Sequence, residues 1–181
     1  MANGTLKVGE ITTSSGSGNI TIGSGVTLNS NTPAFFINLD SDQTLTDNTV
    51  TKIQFNNVVF DTDSIYSTTN DRIVIPSGKA GKYYIQGNIT VNSQGTGNLD
   101  RGVSYIYKNG SQVAWSFQDF RGNPARQTTA TVTAILDLVE DDYIEIHAMG
   151  DTVNSGAALA RGDTLSGNGF ESWFHGCRIG A

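Results

Sequence analysis

The sequence predicts an all-β protein: a two-sheet sandwich or barrel preceded by an extended β-forming N-terminal arm. Three observations carry that prediction. Long stretches alternate apolar and polar residues with a period of two, as strands with one buried face do. Clusters of Gly, Asn and Asp punctuate those stretches. No window holds apolar residues at i, i+3, i+4 and i+7, and 21 glycines in 181 residues disfavour long helices, where each Gly costs roughly 1 kcal/mol relative to Ala.

The arm comes first. Before Asn29 the chain carries almost no charge and sets isolated aliphatics, Leu6, Val8, Ile11, Ile20, Ile22, Val26 and Leu28, among Gly, Ser and Thr. Ordering each residue costs roughly 1 to 2 kcal/mol, more than such small side chains recover by burial. Yet Leu6-Lys7-Val8 and Ile20-Thr21-Ile22 alternate as strands do, so the segment reads as one that becomes β by adding to a neighbouring sheet. Residues 1–32 are assigned to this arm and residues 33–181 to one domain.

Strands follow in succession. Gly81–Val91 places Tyr83, Ile85, Ile89 and Val91 on one face. Val103, Tyr105 and Tyr107 share a face, with Ser104, Ile106 and Lys108 opposite, before the turn Lys108-Asn109-Gly110-Ser111. Asn and Gly both tolerate the positive φ of a type I′ turn, which predicts a hairpin into Val113 and Trp115. The longest strand points Ala130, Val132, Ala134, Leu136 and Leu138 one way and Thr129, Thr131, Thr133 and Asp137 the other, with Ile135 breaking the pattern. After the acidic turn Glu140-Asp141-Asp142 the alternation resumes in Ile144, Ile146 and Ala148, and a final strand lies within residues 170–179. Strands of this kind hide their apolar faces by stacking or closure.

Charge and chemistry narrow the function. Eleven Lys and Arg against seventeen Asp and Glu leave a net charge of −6, which argues against a nucleic-acid groove. Cys177 stands alone, excluding an intramolecular disulfide and a multi-thiolate zinc site, and is read as a small buried hydrophobe. Met1–Thr5 has no basic flank, and no run approaches the roughly 20 apolar residues of a membrane span, so the expectation is a soluble chain made in the cytoplasm, with no membrane partner. His147 and His175 lack ligand partners at metal-site spacing. The pairs Asp40/Asp42 and Asp61/Asp63 read as turn formers, and Arg161-Gly162-Asp163 as a chance copy of the integrin tripeptide. No catalytic set, cofactor site or metal site emerges. Trp115, Phe117 and Phe120 form a candidate sugar-stacking platform, with packing at a sandwich edge or interface as the alternative.

From Pro33 onward the order of landmarks resembles the jelly roll shared by the globular head of complement subcomponent q and tumour necrosis factor. They are Phe35-Phe36, Phe55, Phe60-Asp61, Tyr66, Arg72-Ile73-Val74-Ile75-Pro76, Gly81-x-Tyr83-x-Ile85, Lys108-Asn109-Gly110, Asp141-Asp142-Tyr143 and Phe174-His175-Gly176. Ile85 and Gly87 stand where that family usually carries aromatics, and Asp141 where a Gly usually precedes the turn Asp. The resemblance implies a two-sheet jelly-roll sandwich and a homotrimer whose inner sheets meet around a threefold axis. Tyr83, Tyr105 and Tyr107 are candidates for that axis, with core packing as the alternative, and three acidic turns crowded there would require or bind a cation.

The arm, from Gly4-Thr5-Leu6-Lys7-Val8-Gly9 to Ser14–Gly18, resembles leaders on structural proteins of tailed bacteriophages, especially those of marine and cyanobacterial hosts. Together the two resemblances imply a virion structural protein: a homotrimeric capsid decoration or cement protein. Leu6, Val8, Ile11, Ile20 and Ile22 would anchor it to the major capsid protein or another virion protein. The alternatives are a fibre or spike component that binds host-surface glycan, and a glycan-processing enzyme, whose carboxylate pair linear spacing does not reveal.

Overall fold

The computed structural model describes Ser24 and residues 32–95, 98–162 and 170–180. The predicted anchor residues Leu6, Val8, Ile11, Ile20 and Ile22 lie outside the described residues, as does Asp163. Residues from Thr32 onward pack as one unit.

Among the described residues there are thirteen strands and no helix. In chain order they are β1 (Ala34–Asn38), β2 (Gln43–Leu45), β3 (Thr51–Lys52), β4 (Asn57–Asp61), β5 (Tyr66–Ser67), β6 (Arg72–Val74) and β7 (Gly81–Asn92). Then come β8 (Leu99–Lys108), β9 (Ser111–Asp119), β10 (Gln127–Leu138), β11 (Tyr143–Thr152), β12 (Ala158–Ala160) and β13 (Trp173–Gly180).

Two antiparallel sheets form the layers. In the larger, β7 is central: β10 pairs along one edge for twelve residues, while β13 and β12 share the other. Beyond β13 lie β1 and β4, and beyond β12 lies β2. The smaller sheet runs β5-β6-β11-β8-β9, with β3 also pairing β11. Apart from the β5–β6 and β8–β9 hairpins, neighbouring strands are distant in sequence, so the sandwich closes mainly through long connections.

The core lies between the layers and is built by the predicted alternation. Tyr83, Ile85, Ile89 and Val91 of β7 are fully buried, and Ala130, Val132 and Leu138 of β10 face the same interior. Phe174 meets Phe35 edge-on at 4.8 Å and lies 6.0 Å from Phe55. Gly87 is confined by the opposing sheet: a Cβ there would lie 2.9 Å from Ile146 Cδ1. The opposing sheet already fills the space that a larger residue would take.

Both sequence-predicted turns have the geometry their residues allow. Asn109 and Gly110 take φ of 52° and 77°, and Lys108 pairs with Ser111 to close the type I′ hairpin. Asp141 takes φ of 68°, which explains why Gly suits that position. Cys177 departs from expectation. It is half-buried on the outer face of the larger sheet, opposite Ala34 and Tyr84, because β13 turns Phe174 and Gly176 inward instead.

Candidate functional site

The outward face of the larger sheet carries an aromatic patch that the core does not use. Adjacent Phe35 and Phe36 must point to opposite faces of β1. Phe35 enters the core, so Phe36 stands outside, where His175 of β13 and Phe60 of β4 are its cross-strand partners. Its ring lies 5.9 Å from Trp173, 6.0 Å from His175, 6.3 Å from Phe60 and 5.0 Å from Phe170. His175 continues the patch to Tyr84 at 5.9 Å, and Tyr84 faces Ile135 across the β7–β10 pair. Phe60 is 49% and Ile135 63% exposed. A shallow apolar cavity of about 230 Å³ opens between Phe60, Tyr84, His175 and Cys177.

Toward the far ends of β7 and β10 the same face turns polar. Thr90 and Thr129 hydroxyls meet at 2.8 Å, Thr131 donates to Asn88 Oδ1 at 2.7 Å, and Asn92 donates to Gln127 Oε1 at 2.7 Å. These pairs satisfy one another across the strands. Ile135 therefore marks where a self-satisfied polar ladder gives way to exposed apolar surface. Within the patch, burial holds His175 below the ordinary imidazole range, and its Nε2 is buried with no hydrogen-bond partner among the described residues. Monomeric proteins rarely leave contiguous aromatic surface of this kind uncovered.

The sequence-predicted residues fall elsewhere. Tyr83 is 0% exposed and donates its hydroxyl to the Lys79 carbonyl at 2.7 Å. Core packing accounts for it, because inward-facing Tyr83 alternates with outward-facing Tyr84. Tyr105 and Tyr107 lie on the outer face of the other sheet, 6.3 Å apart and clustered with Val103 and Met149. The three tyrosines are thus not brought together. Trp115 and Phe117 do stack, with centroids 4.9 Å apart and planes 12° from parallel. Phe120 lies past the end of β9, its N–H bound to the Asp100 carbonyl at 2.7 Å, and does not join the stack as expected.

The acidic motifs are occupied within the chain. Asp142 accepts from Lys108 at 2.8 Å, Asn109 at 2.6 Å and the Val139 N–H at 2.9 Å, so it locks the β10–β11 turn rather than projecting from it. Asp42 binds Arg161 and the Gly162 N–H, and Asp63 pairs with Lys79 at 2.7 Å, which holds its carboxyl below the usual range. Arg161 of the Arg-Gly-Asp tripeptide is thereby committed to Asp42, with Glu171 3.6 Å away. Glu145 bridges His147 and Lys52, each at 3.3 Å. Among the described residues no three His, Cys, Asp or Glu side chains converge as a metal site would require.

No protein-family model matches this sequence, and no curated protein matches it. Solved structures do match. The chain is similar to the globular domain of the zebrafish complement 1qA protein, with a TM-score of 0.56 at 12% identity, covering 81% of this chain and 97% of that one. It is also similar to murine APRIL, with 0.57 at 10% identity over 82% and 99% of the two chains. Eiger TNF from S. frugiperda gives 0.58 at 10% identity, over 82% and 92%. The fold is a jelly roll of the complement 1q and tumour necrosis factor type. At such identity the likeness concerns the fold alone. In its terms, the patch of Phe36, Phe60, Tyr84, Ile135, Trp173 and His175 covers one outer layer of the jelly roll. Its signals in the sequence were small: the Phe35-Phe36 doublet, Trp173 and His175 flanking Phe174, and Ile135 out of phase.

Proposed function

We propose that this chain is a non-enzymatic virion structural protein, a capsid decoration or cement protein. Its jelly roll assembles as a homotrimer through the outer face of the larger sheet. The observation that carries the assembly is the aromatic patch centred on Phe36 and His175, because large apolar groups on a sheet face contribute roughly 1.5 to 3 kcal/mol each when fully buried. Copies of this chain are its occupants in this reading, and the resemblance to a family of trimers supplies the number. Residues 1–32 carry alternating aliphatics suited to strand addition, and they tie each protomer to the particle. Three arms per trimer turn a weak attachment into a firm one through effective concentration.

Light scattering on the full chain at micromolar concentration should return the mass of three chains. A monomer would refute assembly through this face. An electron cryo-microscopy reconstruction of the particle should then place the trimer on the capsid shell, and density at a tail tip would instead favour a fibre or spike.

A further inference from the structure

The outer face of the smaller sheet carries a second, different surface. Its side chains lie in rows that cross β9, β8 and β11. One row is charged: Asp119 stands opposite Arg101, which stands opposite Asp151. Arg101 binds Asp151 at 2.6 Å, and Arg121 at the rim binds Asp119, driving its carboxyl down to about 2 so that it stays ionised. The next row is apolar, Phe117, Val103 and Met149, and the one after it aromatic, Trp115, Tyr105 and His147. Trp115 and Phe117 are 54% and 47% exposed. Between these rows opens a cavity of about 260 Å³ lined by Arg101, Tyr105, Trp115, Phe117, Asp119 and Met149, among others. It falls below the roughly 300 Å³ at which drug-sized pockets begin and suits a single small ring.

We propose that this cavity is a binding site for a neutral pyranose sugar. A pyranose has an apolar C–H face, which packs against aromatic rings, and a fringe of vicinal hydroxyls, each both donor and acceptor. The aromatic rows supply the first partner. The charged row supplies the second, since alternating guanidinium and carboxylate groups offer donors beside acceptors at fixed spacing. Two cations, Arg101 and Arg121, face two anions, Asp119 and Asp151, so an acidic ligand gains no net attraction and a neutral one is favoured. The site is complete within one protomer and lies on the sheet opposite the proposed trimer face, so it does not depend on assembly. In a trimer it would be presented three times.

Saturation-transfer NMR on the full chain, with methyl α-mannoside, methyl β-galactoside, methyl α-glucoside and N-acetylglucosamine as neutral probes and sialic acid as the acidic comparison, tests this. At least one neutral probe should bind saturably in roughly the millimolar range, with saturation strongest on its ring C–H protons. Trp115→Ala and Asp119→Asn should each weaken that binding on the order of tenfold. Asp119→Asn keeps the aromatic stack, so a failure of Trp115→Ala to fold leaves the test intact. Four outcomes would overturn the proposal: no probe binding, binding indifferent to both changes, binding confined to acidic sugars such as sialic acid, or loss of oligomer mass on Trp115→Ala. The last would make this face a protein interface. A monomeric Phe60→Ser, Ile135→Asp variant should still bind sugar, which separates this site from the assembly reading.

Discussion

Ile135 stands directly across from Tyr84 on the outer face of the larger sheet, with the Thr- and Asn-lined ladder on one side of it and the Phe36 aromatic patch on the other. This pairing sets the boundary of the proposed assembly face. Replacing Ile135 with Asp, together with Phe60→Ser, should abolish oligomerisation at micromolar concentration. Both side chains are exposed in the protomer, where surface changes usually stay within about 0.5 kcal/mol. Sedimentation should therefore report a monomer, and circular dichroism an unchanged β signature.

Gly87 and Ile146 should behave as a coupled pair. Adding a Cβ at Gly87 drives it against Ile146 Cδ1, and overpacking of this kind costs roughly 1 to 3 kcal/mol. Gly87→Ala should lower the urea midpoint, and Ile146→Val in the same chain should recover part of the loss, giving a non-additive double-mutant cycle. Additive losses would mean that the clash is relieved elsewhere.

Asp141 occupies left-handed backbone at φ of 68°, a region that costs most L-residues about 1 to 2 kcal/mol and Gly little. Asp142 makes the turn's carboxylate contacts. Asp141→Gly should therefore raise stability by about 1 kcal/mol, readable as a higher melting temperature.

The two histidines set a pH dependence with a definite sign. Burial holds both His147 and His175 below the ordinary value of 6.5, although Glu145 pulls His147 the other way. His147 also faces Lys52, which lowers it, and stacks on Tyr107 at 4.1 Å. His175 faces Tyr84, Phe36, Trp173 and Gln86. The folded state resists protonation, so the unfolded chain takes up more protons as the pH falls through 6.5. Stability is full above that value and is lost as the pH drops toward the lower folded values. Urea midpoints should be lower at about pH 5.5 than at about pH 7.5, and His147→Gln with His175→Gln should shrink the difference.

What the sequence determined by itself is local and periodic. Alternation identified the buried faces of β7 and β10, because a strand's side chains have period two and one face must leave water. Asn109-Gly110 specified its hairpin because few residues accept two consecutive positive φ angles. The order of landmarks was enough to indicate the jelly roll, which three-dimensional similarity then bore out. Tertiary structure alone decided which exposed residues gather. Phe36, Phe60, Tyr84, Ile135 and Trp173 lie on five strands scattered along the chain, and period-two patterns report one buried face without saying what the other face meets. Tyr83 and Tyr84 illustrate the point: alternation put Tyr83 on the buried face with Ile85, Ile89 and Val91, but only the fold shows that Tyr84, on the other side of the sheet, meets His175 and Ile135. The charged row from Asp119 through Arg101 to Asp151 likewise exists only through strand register, which depends on long-range pairing and is not written in any one segment.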